Sequence, residues 1–225
     1  GWDAIIRLWD PISGVCIQMF EDPTTLFLGM EWSPDGNLLA CGTYMRGMQA
    51  WDVTTRCLRW VGQPYLIGFL HVAWSPDGTQ LVGGGDDGNV YLWESTHGTF
   101  LQQLPGHQGR VISVEWSPDG TQLASGSEST GGFFVWDMHN RECVQTFAGY
   151  TGVVNALAWS CSRTGASHSP YCTGGDQLIS GGSDGRLCWW DLPSCACVRV
   201  REAHQGTVQA LKVSPEGRKI GRAHV

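Results

Sequence analysis

Twelve tryptophans are spread along 225 residues, and nine of them occupy only two recurring places. Trp9, Trp51, Trp93, Trp136 and Trp190 are each followed by Asp or Glu, at steps of 42, 42, 43 and 54 residues. Trp32, Trp74, Trp116 and Trp159 are each followed by Ser, at steps of 42, 42 and 43. A period of that length is neither a helix nor a strand but a supersecondary unit, which buries its apolar face against its neighbours. The chain is therefore an array of units instead of one or two ordinary domains.

The unit that runs through His107 and Asp137 shows the pattern most fully. Val111 to Trp116, Gln122 to Ser125, Phe133 to Trp136 and Cys143 to Phe147 are apolar runs of strand length, separated by turn-formers instead of helix caps. Ser117-Pro118-Asp119-Gly120 is a tight turn, with Ser bonding the backbone, Pro presetting φ and Gly tolerating the exit conformation. Four antiparallel strands every 42 or so residues, closed by Trp-Asp, resemble the WD-repeat family of β-propellers. The resemblance covers essentially the whole chain. It implies an all-β propeller fragment of four-stranded antiparallel blades, four of them full, with a partial blade at each end.

In chain order, residues 1–20 read as a partial blade that enters between its second and third strands. Residues 21–62, 63–104 and 105–147 are full blades. Residues 148–200 form a fifth, with twelve extra residues inserted where the Ser-Pro-Asp-Gly turn should be, in a Ser/Gly/Thr-rich loop at 161–176. Cys161, His168 and Cys172 in that loop fall short of the four ligands of a structural zinc site, so a solvated loop is expected. Residues 201–219 start another unit, whose second-strand pattern stops at Ile220. Ile220 to Val225 is what a common sequencing-adapter sequence encodes when read in frame, and we expect it to be a non-native tail.

Composition excludes several function classes. At 16% charged and 42% hydrophobic residues the chain is no disordered segment. A net charge of −7, with basic residues never gathered beyond pairs such as Arg199 and Arg201, argues against nucleic acid and anionic membranes as partners. No apolar stretch approaches the ~20 residues of a spanning helix. The nine cysteines are odd in number, and Cys16, Cys143 and Cys197 each follow a Trp-Asp tryptophan by seven residues. Equivalent places in successive blades stack at blade spacing, too far to pair, so the cysteines are expected to be small buried hydrophobes in a reducing cytoplasm.

The resemblance also implies a structural network in each blade: a His before the first strand, a Ser/Thr in the second, an Asp in the next turn and the Trp of the third. Carried onto this sequence it takes in Asp3, Trp9, Trp51, Asp87, Trp93, His107, Ser125, Trp136, Ser180, Asp184, Trp190 and His204. No blade holds the full set. Ser129 stands at the Asp place of the fourth blade, Gly83 at the Ser place of the third, and Tyr65 and Tyr150 where His is expected. A Ser-His-Asp hydrolase reading fails, because the network is buried and no nucleophile-elbow sequence accompanies it.

Two function classes remain. The first is a binding module, since no metal cluster, phosphate loop or cofactor motif is present and Gly83-Gly84-Gly85 lacks the helix a dinucleotide fingerprint needs. The second is an enzyme using acids of the inner strands at the central channel, chiefly Glu31 and Glu115. For a binding module, the loops before the first strands and between the second and third share one face. Leu26, Tyr44, Met45, Tyr65, Asp86, Arg110, Glu128, Tyr150 and Val153 should cluster there and meet a protein partner or another domain. The density of Trp-Ser-Pro-Asp-Gly turns and the stretch HQGTVQALKVSPEG are further similar to bacterial propellers attached to signal-transduction ATPases with an NB-ARC-type switch. That implies a sensor within a larger signalling protein. The chain by itself is expected to be an open arc, whose end faces await the missing blades.

Overall fold

A computed structural model of the chain describes residues 3–63, 66–129, 132–148, 152–160, 177–214 and 220–224, with 222–224 by backbone alone. Its regular structure is strand. β1 (Ile5–Trp9) and β2 (Cys16–Glu21) form a two-stranded sheet. The second blade is β3 (Phe27–Trp32), β4 (Leu38–Thr43), β5 (Met48–Asp52) and β6 (Cys57–Gly62). The third is β7 (Phe69–Trp74), β8 (Gln80–Gly85), β9 (Asn89–Glu94) and β10 (Phe100–Pro105). The fourth is β11 (Val111–Trp116), β12 (Gln122–Ser127), β13 (Gly132–Asp137) and β14 (Glu142–Ala148). The fifth is β15 (Val154–Ser160), β16 (Gln177–Gly182), β17 (Arg186–Asp191) and β18 (Ala196–Glu202). β19 (Val208–Val213) and β20 (Ile220–His224) end the array as a second two-stranded sheet. The all-β blade architecture is thus as the repeat implied. No helix among the described residues is long and apolar enough to cross a membrane.

The turns explain why these residues pair as they do. In Ser33-Pro34-Asp35-Gly36 the Ser33 hydroxyl donates to Asp35 (2.6 Å) and accepts the Leu38 N–H (2.9 Å), while Gly36 takes a φ of 74°. The same bonds recur at Ser75 and Asp77 and at Ser117 and Asp119. The Asp of Trp-Asp has its own task, which the repeat alone did not assign. Asp10, Asp52, Asp137 and Asp191 each accept backbone N–H groups two or three residues on, and so cap the turn into the outer strand.

Successive inner strands β3, β7, β11, β15 and β19 lie side by side. The first three of these four seams have a directional indole bond: Trp74 Nε1 donates to Glu31 O (3.2 Å), Trp116 Nε1 to Ala73 O (3.3 Å) and Trp159 Nε1 to Glu115 O (3.0 Å). These three indoles are 6–7% exposed, whereas Trp32, with no inner strand before it, is 46% exposed. Phe133, Phe147 and Trp190 of the fourth and fifth blades share one core cluster, and Val82, Leu92, Trp116 and Trp136 of the third and fourth share another. The apolar core therefore lies between sheets, as the period required.

Two expectations are corrected. Among the described residues only Cys41 and Cys188 are buried cysteines; Cys16 is half-buried, and Cys57, Cys143, Cys195 and Cys197 are exposed. The periodic cysteines lie on or next to the outer strand, which has no further strand to cover it. Cys161 and Cys172 lie outside the described residues, as do the rest of the inserted loop, Tyr65 and Tyr150. Secondly, the last second strand does not end at Ile220: β20 runs to His224, with Leu211 opposite Arg222. A ladder is built from backbone groups, so pairing continues where the side-chain pattern has stopped.

β1 and β20 belong to separate sheets, so the half-blades do not join, and Trp9, Ile17, Met19 and Trp32 are each about half exposed at the first end. Apolar area of this kind promotes association. Light scattering on the purified 225 residues should show oligomers, and a monodisperse, cooperatively melting monomer would contradict the open arc. Trp116→Phe, which leaves the Ala73 carbonyl without its donor in a buried seam, should lower the unfolding free energy by roughly 1–3 kcal/mol in chemical denaturation. Trp32→Phe should cost well under half as much; equal losses would show that the indole bonds do not hold the seams.

Candidate partner-binding face and channel

The buried tryptophans of the third strands solve one problem, an indole N–H without water, in different ways. In the fourth blade Trp136 Nε1 donates to Ser125 Oγ (2.8 Å), which also contacts His107 Nε2 (2.7 Å). Burial holds His107 down at about 4, so its imidazole is neutral near pH 7. In the fifth, Trp190 Nε1 donates to Ser180 Oγ (2.8 Å), and Asp184 accepts the Arg186 N–H (3.0 Å). The third has Gly83 in place of the hydroxyl, so Trp93 Nε1 turns to Gln63 O (2.7 Å), while Asp87 accepts from Tyr91 (2.7 Å). The second was read as keeping Trp51 alone. It has a substitute relay, Trp51 to Gln49 Oε1 (3.1 Å) and Gln49 Nε2 to Asp22 (2.8 Å). Gln49 precedes Trp51 by two and shares its strand face, the one sequence signal that could have found it.

At the two ends of the chain the expected network takes another form. Asp3 bonds Arg7, and Trp9 is 58% exposed, because the first sheet has no second strand to supply a hydroxyl. His204 precedes β19 and donates its backbone N–H to Gly185 O (3.1 Å). Its second-strand place, opposite Leu211, holds Arg222 where the fourth and fifth blades have Ser125 and Ser180.

The loops of the candidate face are tied in pairs by equivalent backbone bonds: Tyr44 N–H to Leu26 O, Asp86 N–H to Gly68 O, Glu128 N–H to Arg110 O and Ser183 N–H to Val153 O, all 2.9–3.1 Å. Each bond ties the loop before a blade's first strand to the loop after its second, so the described members lie at equivalent ends of their blades. Leu26, Tyr44 and Met45 line a depression of about 600 Å³ with Pro23, Thr24 and Arg46. A Cβ on Gly68 would meet both Asp86 and Tyr44 within 4 Å, so the second and third blades touch there. Arg110 pairs with Glu128 at 2.6 Å, which holds the Glu128 carboxyl below its usual range and raises the guanidinium. Leu66, 79% exposed beside this set, was not anticipated.

The channel holds a second cluster. Lys212 of β19 reaches Glu115 of β11 (3.1 and 3.4 Å) and Glu31 of β3 (3.9 Å). Glu31 accepts the Trp74 N–H (2.8 Å), and His71 Nδ1 lies 3.5 Å from the Val114 N–H. Lys212 was missed, although it stands one residue before the Trp place, as Glu31 and Glu115 do. Burial pushes Glu115 up to about 7, Lys212 pulling it down and Glu31 pushing it up. Among the described residues no group of three or more His, Cys, Asp or Glu is placed to hold a metal ion.

A carboxyl raised on folding favours the protonated native state, so its contribution declines as pH rises from about 4.5 to about 7. His71 and His107, each lowered to about 4 by burial, act oppositely and weaken the fold as pH falls from 6.5. Comparison with Glu115→Gln isolates the first effect. The variant's stability relative to the parent should grow between those limits and level off above them in denaturation at stepped pH; a constant difference would contradict the burial of Glu115.

Residues 68–94, 98–137 and 141–191, together just over half of the chain, match the family model described as WD domain, G-beta repeat. Over 45 residues, 20% of this chain, the sequence is 40% identical to p21-activated protein kinase-interacting protein 1-like of Danio rerio. The match takes in 12% of that relative's length.

Proposed function

This chain belongs to the WD domain, G-beta repeat family, and on that premise we propose that it is a non-enzymatic protein-interaction propeller. The observation that carries the reading is the set of loops where Tyr44, Met45 and Leu66 are 51%, 47% and 79% exposed, with the Arg110–Glu128 pair at the equivalent end of the fourth blade. The relative from Danio rerio is by its name an interacting protein, which fits a protein partner or another domain of the same chain. The density of Trp-Ser-Pro-Asp-Gly turns supports a setting in a cytoplasmic bacterial signalling protein with an NB-ARC-type ATPase, where the repeats act as sensor or restraint.

A channel enzyme is the second reading, favoured by Glu115, whose carboxyl sits near neutrality. Against it, Lys212 Nζ lies 3.1 and 3.4 Å from the two oxygens, and this cation favours the carboxylate over its protonated form. Turnover abolished by Glu115→Ala would support that reading.

Affinity capture with the parent chain and with Arg110→Glu tests the first. The variant should lose a stoichiometric protein partner while its unfolding free energy changes by at most about 1 kcal/mol, as expected of an exposed ion pair. Retained capture, or a large fall in melting temperature, would remove Arg110 from the interface.

A further inference from the structure

The fourth blade differs from its neighbours at one place on the loop face. The equivalent backbone bonds of Asp86, Glu128 and Ser183 set three turns in register, and the next residues are Asp87, Ser129 and Asp184. In the third blade the carboxylate at this place is held by neutral donors, the Tyr91 hydroxyl and the Asn89 amide, each at 2.7 Å. In the fourth, a cavity of about 220 Å³ opens there, lined by His107, Gln108, Ser127, Ser129 and Phe134 with Gly106 and Gly132.

Donors are in surplus around that cavity. The Trp136 indole can only donate, so Ser125 Oγ accepts from it and keeps its own hydrogen, which in one of the two imidazole tautomers goes to His107 Nε2. The ring proton of the neutral imidazole is then on Nδ1, which has no partner among the described residues. Ser127 Oγ and Ser129 Oγ lie 2.9 Å apart, and whichever donates, one hydroxyl hydrogen remains to give. Phe134 stacks on the imidazole at 4.2 Å and supplies an apolar wall. The one acid between the two serines, Glu128, is bound to Arg110 at 2.6 Å and does not compete.

We propose that this cavity is a carboxylate-binding site, filled by a small free carboxylate or by an Asp or Glu side chain of a partner, where the adjoining blades carry an acid of their own. The second source rests on the interaction reading above; the first does not. His107 Nδ1 and a serine hydroxyl donate to the bound oxygens, as Tyr91 and Asn89 do to Asp87 in the third blade.

Ligand-detected saturation-transfer NMR with acetate, against chloride at equal ionic strength, reads the site even in an oligomer. The parent should give an acetate signal that Ser127→Ala reduces severalfold and Ser129→Asp, which supplies the acid internally, abolishes. Ser129→Asp should also raise the melting temperature by about 2–4 °C. No acetate signal in the parent, or the same signal in both variants, would overturn the site; Ser127→Ala keeps the test decisive should the Asp variant fail to fold. A peptide with a central Asp that binds more tightly than acetate and than its Asn counterpart would identify the source as a partner side chain. Equal affinity of peptide and acetate would identify a free acid and leave the interaction reading to stand or fall on Arg110→Glu.

Discussion

The indole-to-carbonyl bond between consecutive inner strands is the interaction on which the rest of the array depends. A four-stranded sheet of this size cannot cover its own apolar faces, and the seam is where it meets the next one. Trp74, Trp116 and Trp159 each bring a large ring into that seam and fix its register by a bond to a main-chain atom 43 or 44 residues earlier. Hydrophobic contact alone would allow the sheets to slide. Because the acceptor is backbone, the residue that carries it is free to vary, as Glu31, Ala73 and Glu115 do.

That freedom is why fold and site were legible to different degrees. The recurrence of Trp and of Ser-Pro-Asp-Gly follows from local geometry and from one recurring seam, so strand order and blade number could be read directly. The relay from Trp51 through Gln49 to Asp22 joins residues 27 apart, and the bond from Lys212 to Glu115 joins residues 97 apart. The place of Gln49 two before Trp51 and of Lys212 one before the Trp position is local; the distant acid that each one reaches is not. The cysteines mark the same limit: their period placed them beside an outer strand, but whether an outer strand is covered depends on what lies beyond it. Arg222 looked incompatible with a second strand on side-chain grounds, and the ladder formed regardless.

Within the blades the polar network is variable because its purpose is narrow. What must be satisfied is an indole N–H; a serine hydroxyl, a glutamine carbonyl oxygen and a backbone carbonyl all serve. The cost of variation is local, as at Ser129, where the missing acid leaves unused donors beside a cavity. Glu115 and Lys212 follow the same logic in the channel, where a carboxyl removed from water is kept next to a cation from a distant unit.

The seam bonds also have a sense. Between inner strands every indole bond runs from the later unit, as donor, to the earlier unit, as acceptor, whereas nearer the outer strands Trp60 Nε1 and Gln145 Nε2 donate forward to Ser95 O and Leu192 O. The inner edge of the array's first end presents the half-exposed indole of Trp32, and its last unit has Val213 where an indole would stand. Two like ends brought together by a two-fold axis would set donor against donor or acceptor against acceptor. Association through the ends is therefore heterologous, head to tail, and copies added this way extend a curved chain unless their rotation closes it.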